Sequence, residues 1–160
     1  MRVLDDYAQQ DQDQTRWCWA AVACSVADYL RHGNWTQCTL VQAVLGKNGC
    51  CSQPKSCNEM DSLADALRAT GSLGEHRESA VDLQAVQRQI DLGLPIGFRI
   101  VRDDRTAHVM VIVGYDERPG RDCRLEIRDP WDGPDTVPFG VLAGSIYKQG
   151  RWSDTYFAAT

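Results

Sequence analysis

Three residues of this chain have the types needed for nucleophilic catalysis, and they lie in three separate segments. Cys18 lies near the start of an apolar helical segment, His108 opens an apolar strand, and Asp129 ends the next strand, directly before Pro130. Helix N-termini and neighbouring imidazolium groups both stabilise a thiolate, so Cys18 is the candidate nucleophile and His108 its candidate base. Asp129 is the candidate for orienting the imidazole, and Asp132 is a nearby alternative.

Each of these residues also has a purely structural interpretation when it is taken alone. A single cysteine is more often buried or disulfide-bonded, and an Asp-Pro pair commonly opens a turn. The other two histidines, His32 and His76, lie in polar segments, and we expect them to be exposed. The presence of all three residue types, each at the end of a regular element, is what indicates a nucleophilic site.

The first half of the chain has helical patterns. The segment that begins at Trp17 has almost no charge and predicts a buried central helix, with Thr15 as its N-cap and an end near Gly33. Residues 1–14 are polar and predict an extended lead-in. Three further helices are predicted, beginning near Thr36, Asn58 and Asp82 and each closed by a glycine.

Beyond Pro95 the spacing of the apolar residues changes to the pattern typical of strands. Residues 96–101 and 108–115 predict two strands, the second buried on both faces, and residues 123–128 alternate as a half-buried strand does. Further short strands are expected near Val137 and over 152–158. Helices followed by strands favour an α+β fold. A chain of 160 residues suits one domain, 1–160, with a helical lobe over about 1–93 and a β lobe over about 94–160.

Composition argues against two classes of partner. The net charge is −5 and the Lys and Arg residues are scattered, which disfavours nucleic acid. No apolar run approaches the roughly 20 residues that span a bilayer, so no membrane partner is expected. The N-terminus has no apolar signal core, so any secretion is expected to use another route or a segment removed from this chain.

The seven cysteines are numerous for a cytosolic protein, and their odd count suits one reactive thiol plus up to three disulfides. Four of them cluster, at Cys38, Cys50, Cys51 and Cys57. Zinc binding is the alternative for this cluster, but the paired Cys-x-x-Cys spacing is missing. Buried free thiols are a third possibility, chiefly for Cys24. We expect no metal and no organic cofactor.

Three sequence blocks together resemble papain-like cysteine peptidases. The blocks are Trp17-Cys18-Trp19-Ala20-Ala21, the segment Ala107-His108 through Tyr115, and Asp129-Pro130-Trp131, in the order Cys, His, Asp. The resemblance covers roughly residues 9–158 and is closest to the compact bacterial branch with the AvrRpt2-type effectors and the C39-like leader peptidases. It implies a papain-like α+β fold, in which an N-terminal helical lobe packs on a C-terminal antiparallel β-sheet lobe.

The resemblance also implies an oxyanion hole. The glutamine that such enzymes carry six positions before the nucleophile corresponds to Gln12, and the backbone N–H of Cys18 is the expected second donor. Three neighbouring residues are alternatives for this role: Gln14, Gln10 and Gln9. Many papain relatives have Asn where this chain has Asp129, which changes the strength of the hydrogen bond to His108 more than its purpose.

By this resemblance the chain is expected to be a cysteine protease that hydrolyses peptide bonds through an acyl-enzyme. The expected setting is a bacterial effector or interbacterial toxin that is delivered into a target cell, cleaves a specific protein there, and has a cognate inhibitor protein. Two alternatives use the same scaffold. One is a transglutaminase-like acyltransferase or deamidase, and the other is a papain-like module that binds peptides without cutting them. Cell-wall amidases of the NlpC/P60 type are a less suitable match.

Overall fold

The structure is a computed structural model that describes residues 1–160. Its helices are α1 (Cys18–Leu30), α2 (Gln37–Leu45), α3 (Leu63–Ala69), α4 (Leu83–Asp91) and α5 (Phe139–Gly144). Its strands are β1 (Arg2–Val3), β2 (Leu73–Arg77), β3 (Ile96–Arg102), β4 (Ala107–Asp116), β5 (Arg124–Asp129), β6 (Gly133–Pro138) and β7 (Gly150–Ala158). Helices and an antiparallel sheet together confirm the α+β class.

Helix α1 is the buried central helix that the sequence predicts, but its ends differ from the prediction. Trp17, not Thr15, is its N-cap, and no side chain caps it. The Trp17 indole N–H donates to the carbonyl of Cys57 at 2.8 Å. This long-range contact fixes the start of the helix in place of a local side-chain cap. The helix ends at Leu30, three residues before Gly33, because Arg31 adopts the left-handed conformation (φ 59°). Cys18 is therefore the first residue of the helix.

The other predicted helices form, and one of them begins later than predicted. Helices α2 and α4 begin next to Thr36 and Asp82, as predicted, and the side chains of these two residues cap them. The third helix is capped by Ser62 instead of opening near Asn58. Asn58 is unavailable as a cap, because its Oδ1 accepts from the Arg16 backbone N–H at 2.8 Å. The chain before Asn58 forms a short 3-10 turn, Pro54–Cys57.

All strand pairs in the sheet are antiparallel, in the order β2-β7-β3-β4-β5-β6. Strand β1 pairs with residues 114–115 of β4, beyond the stretch of β4 that pairs with β3. Three elements were missed by the sequence analysis: β1, β2 and α5. The first two of these come from the N-terminal half of the chain and extend the sheet at its margins.

The register of the sheet brings His108 and Asp129 together. Ile112 of β4 pairs with Ile127 of β5. Because alternate residues of a strand share a face, His108 lies on the same face as Ile112, and Asp129 lies on the same face as Ile127. The strands are antiparallel, so His108, which precedes Ile112, and Asp129, which follows Ile127, are displaced toward the same end of the sheet.

The helical lobe packs closely on the sheet. Helix α1 contacts α2, α3 and β4, and its residues from Cys18 to Ala27 are all buried. Gly97 of β3 permits the approach of α3, because a Cβ at this position would lie 2.9 Å from a methyl group of Leu63. None of the helices combines the length and the apolar character needed to cross a membrane.

The clustered cysteines form two disulfides, Cys38–Cys51 and Cys50–Cys57. The predicted preference for disulfides in this cluster is confirmed, and the bridges join α2, the following loop and the 3-10 turn. Cys18, Cys24 and Cys123 are free and buried. The pairing therefore stops at two bridges, below the upper limit of three, and the chain keeps three free thiols.

Candidate active site

A cleft of about 1150 Å³, lined mainly by polar residues, lies between the helical lobe and the sheet. The start of α1 and the segment before α3 form one wall, and β3, β4, β7 and the end of β5 form the other. The cleft contains three of the four candidate residues from the sequence: Cys18, His108 and Asp129. Residues that are far apart in the chain therefore meet at one surface.

Cys18 lies where the charge of a thiolate is favoured. It is the first residue of α1, so its backbone N–H has no partner within the helix and points out of the N-terminus. The positive end of the helix dipole acts at the same place. Only 2% of the residue is exposed, so reaction partners reach it only through the cleft.

His108 is held by Asp129. Its Nε2–H donates to Asp129 Oδ1 at 2.7 Å, which leaves Nδ1 as the ring nitrogen available to Cys18. Burial disfavours the charged imidazolium, but hydrogen bonds to Asp129 and Cys18, together with their charges, outweigh burial and raise the pKa of His108 to about 9. The imidazolium form of His108 is therefore favoured at neutral pH.

Asp129 is a buried carboxylate with three donors around it, and it is 1% exposed. Oδ1 accepts from His108 and, at 2.8 Å, from the backbone N–H of Trp131. Oδ2 accepts from the Lys148 ammonium at 2.6 Å. Burial by itself raises the pKa of Asp129, and the hydrogen bonds to His108 and Lys148 reverse this and hold it well below its usual range.

Asp132, the alternative third member, does not contact His108. Its side chain is 61% exposed, and its carboxylate binds Lys148 at 3.1 Å. The two aspartates therefore share one lysine, but only Asp129 reaches the imidazole.

Gln12 lies beside the site rather than in the lining of the cleft. Its backbone N–H donates to the carbonyl of Pro130 at 3.0 Å, directly after Asp129. Its side-chain amide donates to the carbonyls of Gln14 and Thr15 at 2.9 and 3.0 Å, and its Oε1 is buried without a partner. Both amide hydrogens are thus occupied in this conformation.

The other glutamines of the lead-in segment point elsewhere. Gln9 donates to the hydroxyl of Ser25 at 3.1 Å, and Gln10 donates to the carboxylate of Asp28 at 3.0 Å. Both partners lie in the second half of α1, two or more turns from Cys18. Among the candidates for an oxyanion-hole donor, Gln12 is therefore better placed than Gln9 or Gln10.

Two features of the cleft were not predicted from the sequence. Lys148 gave no local signal, because its contact with Asp129 joins residues from opposite sides of α5. His76 was expected to be exposed, but it is half-buried in β2, lines the cleft and binds Asp154 at 2.8 Å. The ring of Tyr156 stacks on His76 at 4.6 Å. Strand β2 was not predicted, so the position of His76 could not be anticipated.

The model of the family described as papain-like cysteine protease AvrRpt2 matches residues 2–139 of this chain. No curated protein sequence matches it. Among solved structures, the chain is similar to the crystal structure of the Pseudomonas avirulence protein AvrPphB, with 9% sequence identity and a TM-score of 0.40. That match covers 98% of this chain and 100% of the other.

Proposed function

Because this chain belongs to the AvrRpt2 family of papain-like cysteine proteases, we propose that it hydrolyses peptide bonds with Cys18, His108 and Asp129. In this proposal Cys18 is the nucleophile, His108 its acid–base partner and Asp129 the residue that orients the imidazole. The observation that carries the proposal is the 2.7 Å hydrogen bond between His108 Nε2 and Asp129 Oδ1, in the same cleft as the free thiol of Cys18.

The proposed reaction needs no group other than these side chains and water. The Cys18 thiolate attacks the substrate carbonyl carbon and forms a tetrahedral intermediate. His108 gives its Nδ1 proton to the departing amine, the C–N bond breaks, and a thioester to Cys18 remains. A water molecule then gives one proton to His108 and attacks the thioester, which releases the carboxylic acid and restores the thiolate. Asp129 stays ionised throughout and keeps the ring nitrogen Nδ1 directed at the sulfur.

Two donors are proposed for the oxyanion. The Cys18 backbone N–H is free at the start of α1 and lies next to the sulfur that is attacked. Gln12 is the proposed side-chain donor. Thr15 lines the cleft, so the amide hydrogen of Gln12 that binds the Thr15 carbonyl is the one near the cleft. In the proposed reaction this hydrogen leaves the Thr15 carbonyl and binds the oxyanion.

We propose a bacterial effector or interbacterial toxin as the setting, with delivery into a target cell where the enzyme cleaves a specific protein. Membership of the AvrRpt2 family supports this setting. A protease that is harmful to the cell that makes it needs to be held inactive there, so a cognate inhibitor protein is the partner proposed beside the substrate.

The experiment that tests the site is alkylation with iodoacetamide or E-64 at pH 6, followed by peptide mapping. Cys24 and Cys123 are internal controls, because both are buried free thiols and burial raises their pKa values, that of Cys24 to about 12. We expect labelling of Cys18 alone. In His108→Ala we expect labelling of Cys18 to slow at least tenfold, because the imidazolium that stabilises the thiolate is lost. Equal labelling of all three thiols, or no effect of His108→Ala, would refute the proposed pair.

Mass spectrometry of a treated protein substrate then separates hydrolysis from the two other reactions of such an acyl-enzyme. Hydrolysis of a peptide bond gives two fragments, deamidation adds about one dalton, and transfer to an amine adds the mass of the acceptor. Only the first result supports the protease.

A further inference from the structure

We propose that Lys148 is a positioning residue of this site, whose ammonium holds the second oxygen of Asp129 and shares the charge of that carboxylate with His108. The inference rests on the proposed function and adds one residue to the triad of Cys18, His108 and Asp129. The Lys148 ammonium is hydrogen-bonded to Asp129 and Asp132, and it acts on the imidazole by holding Asp129 and by its charge.

The contacts of Lys148 are arranged around one buried carboxylate. His108 binds Oδ1 of Asp129 and Lys148 binds Oδ2, at 2.7 and 2.6 Å. Rotation of the carboxylate would break both contacts, so each partner fixes the orientation that the other one needs. Asp132 holds the ammonium from its other side at 3.1 Å.

The backbone at Lys148 gives a second, independent argument. Lys148 and Gln149 are the central residues of the turn from Tyr147 to Gly150, and both have positive φ, 50° and 66°. Two-residue turns with positive φ at both central positions strongly favour Asn-Gly, because other side chains are strained there. A lysine at the first of these positions is therefore in an unfavourable backbone conformation, and such residues are often found at functional sites. The position aims its ammonium at Asp129.

The turn is also anchored on both sides. The Arg102 Nε–H donates to the carbonyl of Lys148 at 3.1 Å, and the Tyr147 hydroxyl donates to Asp135 at 2.6 Å. These bonds join the turn to β3 and β6. The backbone that carries the Lys148 side chain is consequently held in place next to Asp129.

The charge of Lys148 has a definite effect on His108. With two cations on one carboxylate, the attraction that Asp129 exerts on the imidazolium is partly offset by repulsion from the ammonium. The titratable groups that face His108 are Cys18 from α1 and Asp129 from β5, and the charged groups elsewhere in the cleft include Arg102, Arg105 and Asp132. Removal of Lys148 leaves His108 as the one cation in contact with Asp129, so its proton should be held more tightly.

The test is an NMR titration of His108 in the full chain, for the wild type and for Lys148→Met, Lys148→Gln and Lys148→Arg. We expect the pKa of His108 to rise by about one unit in Lys148→Met, as is usual for the removal of a nearby like charge. Lys148→Gln keeps a donor without the charge and should show the same rise. Lys148→Arg keeps the charge and should restore the wild-type titration. The Gln variant also serves if the Met variant fails to fold.

Gln149→Gly is the matched control, because it changes the same turn and leaves the ammonium in place. It should leave the pKa of His108 unchanged. A His108 pKa that stays within about 0.3 units, or that falls, in folded Lys148→Met and Lys148→Gln would overturn the proposal. The titration needs no substrate, so its failure is separate from that of the proposed function, which the labelling of Cys18 decides.

Discussion

Replacement of Asp129 by Asn tests how far the charges of the site depend on one another. Many papain relatives have Asn at this position, so the change appears conservative at the level of the family. In this protein, however, the carboxylate accepts from His108 on one oxygen and from Lys148 on the other. An amide has only one acceptor oxygen, and its NH2 group must face one of the two donors.

Either orientation of the introduced amide harms the site. If its oxygen faces His108, its NH2 group faces the Lys148 ammonium, and two donors meet at a buried position. If its oxygen faces Lys148, its NH2 group donates to Nε2 of His108. That choice keeps the ring proton on Nδ1, where the nitrogen can no longer take the proton of the Cys18 thiol.

The size of the effect follows from the lost charge. An opposite charge in contact shifts a pKa by about one to three units, and each unit corresponds to about 1.4 kcal/mol. The imidazolium–thiolate pair should lose about 1.4 to 4 kcal/mol, so Cys18 alkylation at pH 6–7 should slow about 10- to 1000-fold. The double variant, Asp129→Asn with Lys148→Met, lacks the ammonium that opposes the introduced NH2 group. Its Cys18 should therefore be alkylated at least tenfold faster than that of Asp129→Asn.

The assay is the second-order rate of Cys18 alkylation by iodoacetamide, measured for the wild type, both single variants and the double variant. Circular dichroism controls for folding. If Asp129→Asn reacts within threefold of the wild type, the carboxylate charge is not needed and the reasoning fails. If the double variant is no faster than Asp129→Asn, Lys148 is not the reason for the loss.

Three further predictions concern stability. Burial disfavours the imidazolium, but hydrogen bonds to Asp129 and Cys18 outweigh burial and raise the pKa of His108 to about 9, above the roughly 6.5 of an unfolded chain. The contribution of His108 to stability is therefore complete below about pH 6.5 and is lost as the pH rises through about 9. Urea unfolding at pH 6 and pH 9.5 should show a loss of at most about 3 kcal/mol that His108→Gln abolishes, and an equal loss in that variant would contradict it. Cys38→Ser with Cys51→Ser should lower the free energy of unfolding by about 3 kcal/mol, because the bridge closes a loop of 13 residues, whereas a melting temperature insensitive to reductant would exclude this. Gln149→Gly should raise the free energy of unfolding by about 1 kcal/mol, because it relieves the positive φ, and the melting temperature should rise with it; a decrease would show that the turn is not strained.

The cysteines show where sequence reasoning reaches its limit. Their number and clustering predicted disulfides, but four clustered cysteines allow three pairings. Cys38–Cys51 with Cys50–Cys57 is chosen by the positions of α2 and the 3-10 turn, which the sequence does not specify. Similarly, the start of α1 moved from Thr15 to Trp17 because a long-range bond from its indole to Cys57 fixes that end.

The sequence by itself determined the fold class and the three blocks with Cys18, His108 and Asp129. The reason is that apolar periodicity and the chemistry of single residues are local properties, readable without knowledge of the fold. Only the tertiary structure decided that Asp129 and not Asp132 binds His108. It also decided that the Lys148 ammonium binds the second oxygen of the Asp129 carboxylate. These contacts depend on the register of the strands and on a turn beyond α5. The sequence of one segment does not show which distant residues will contact it after folding.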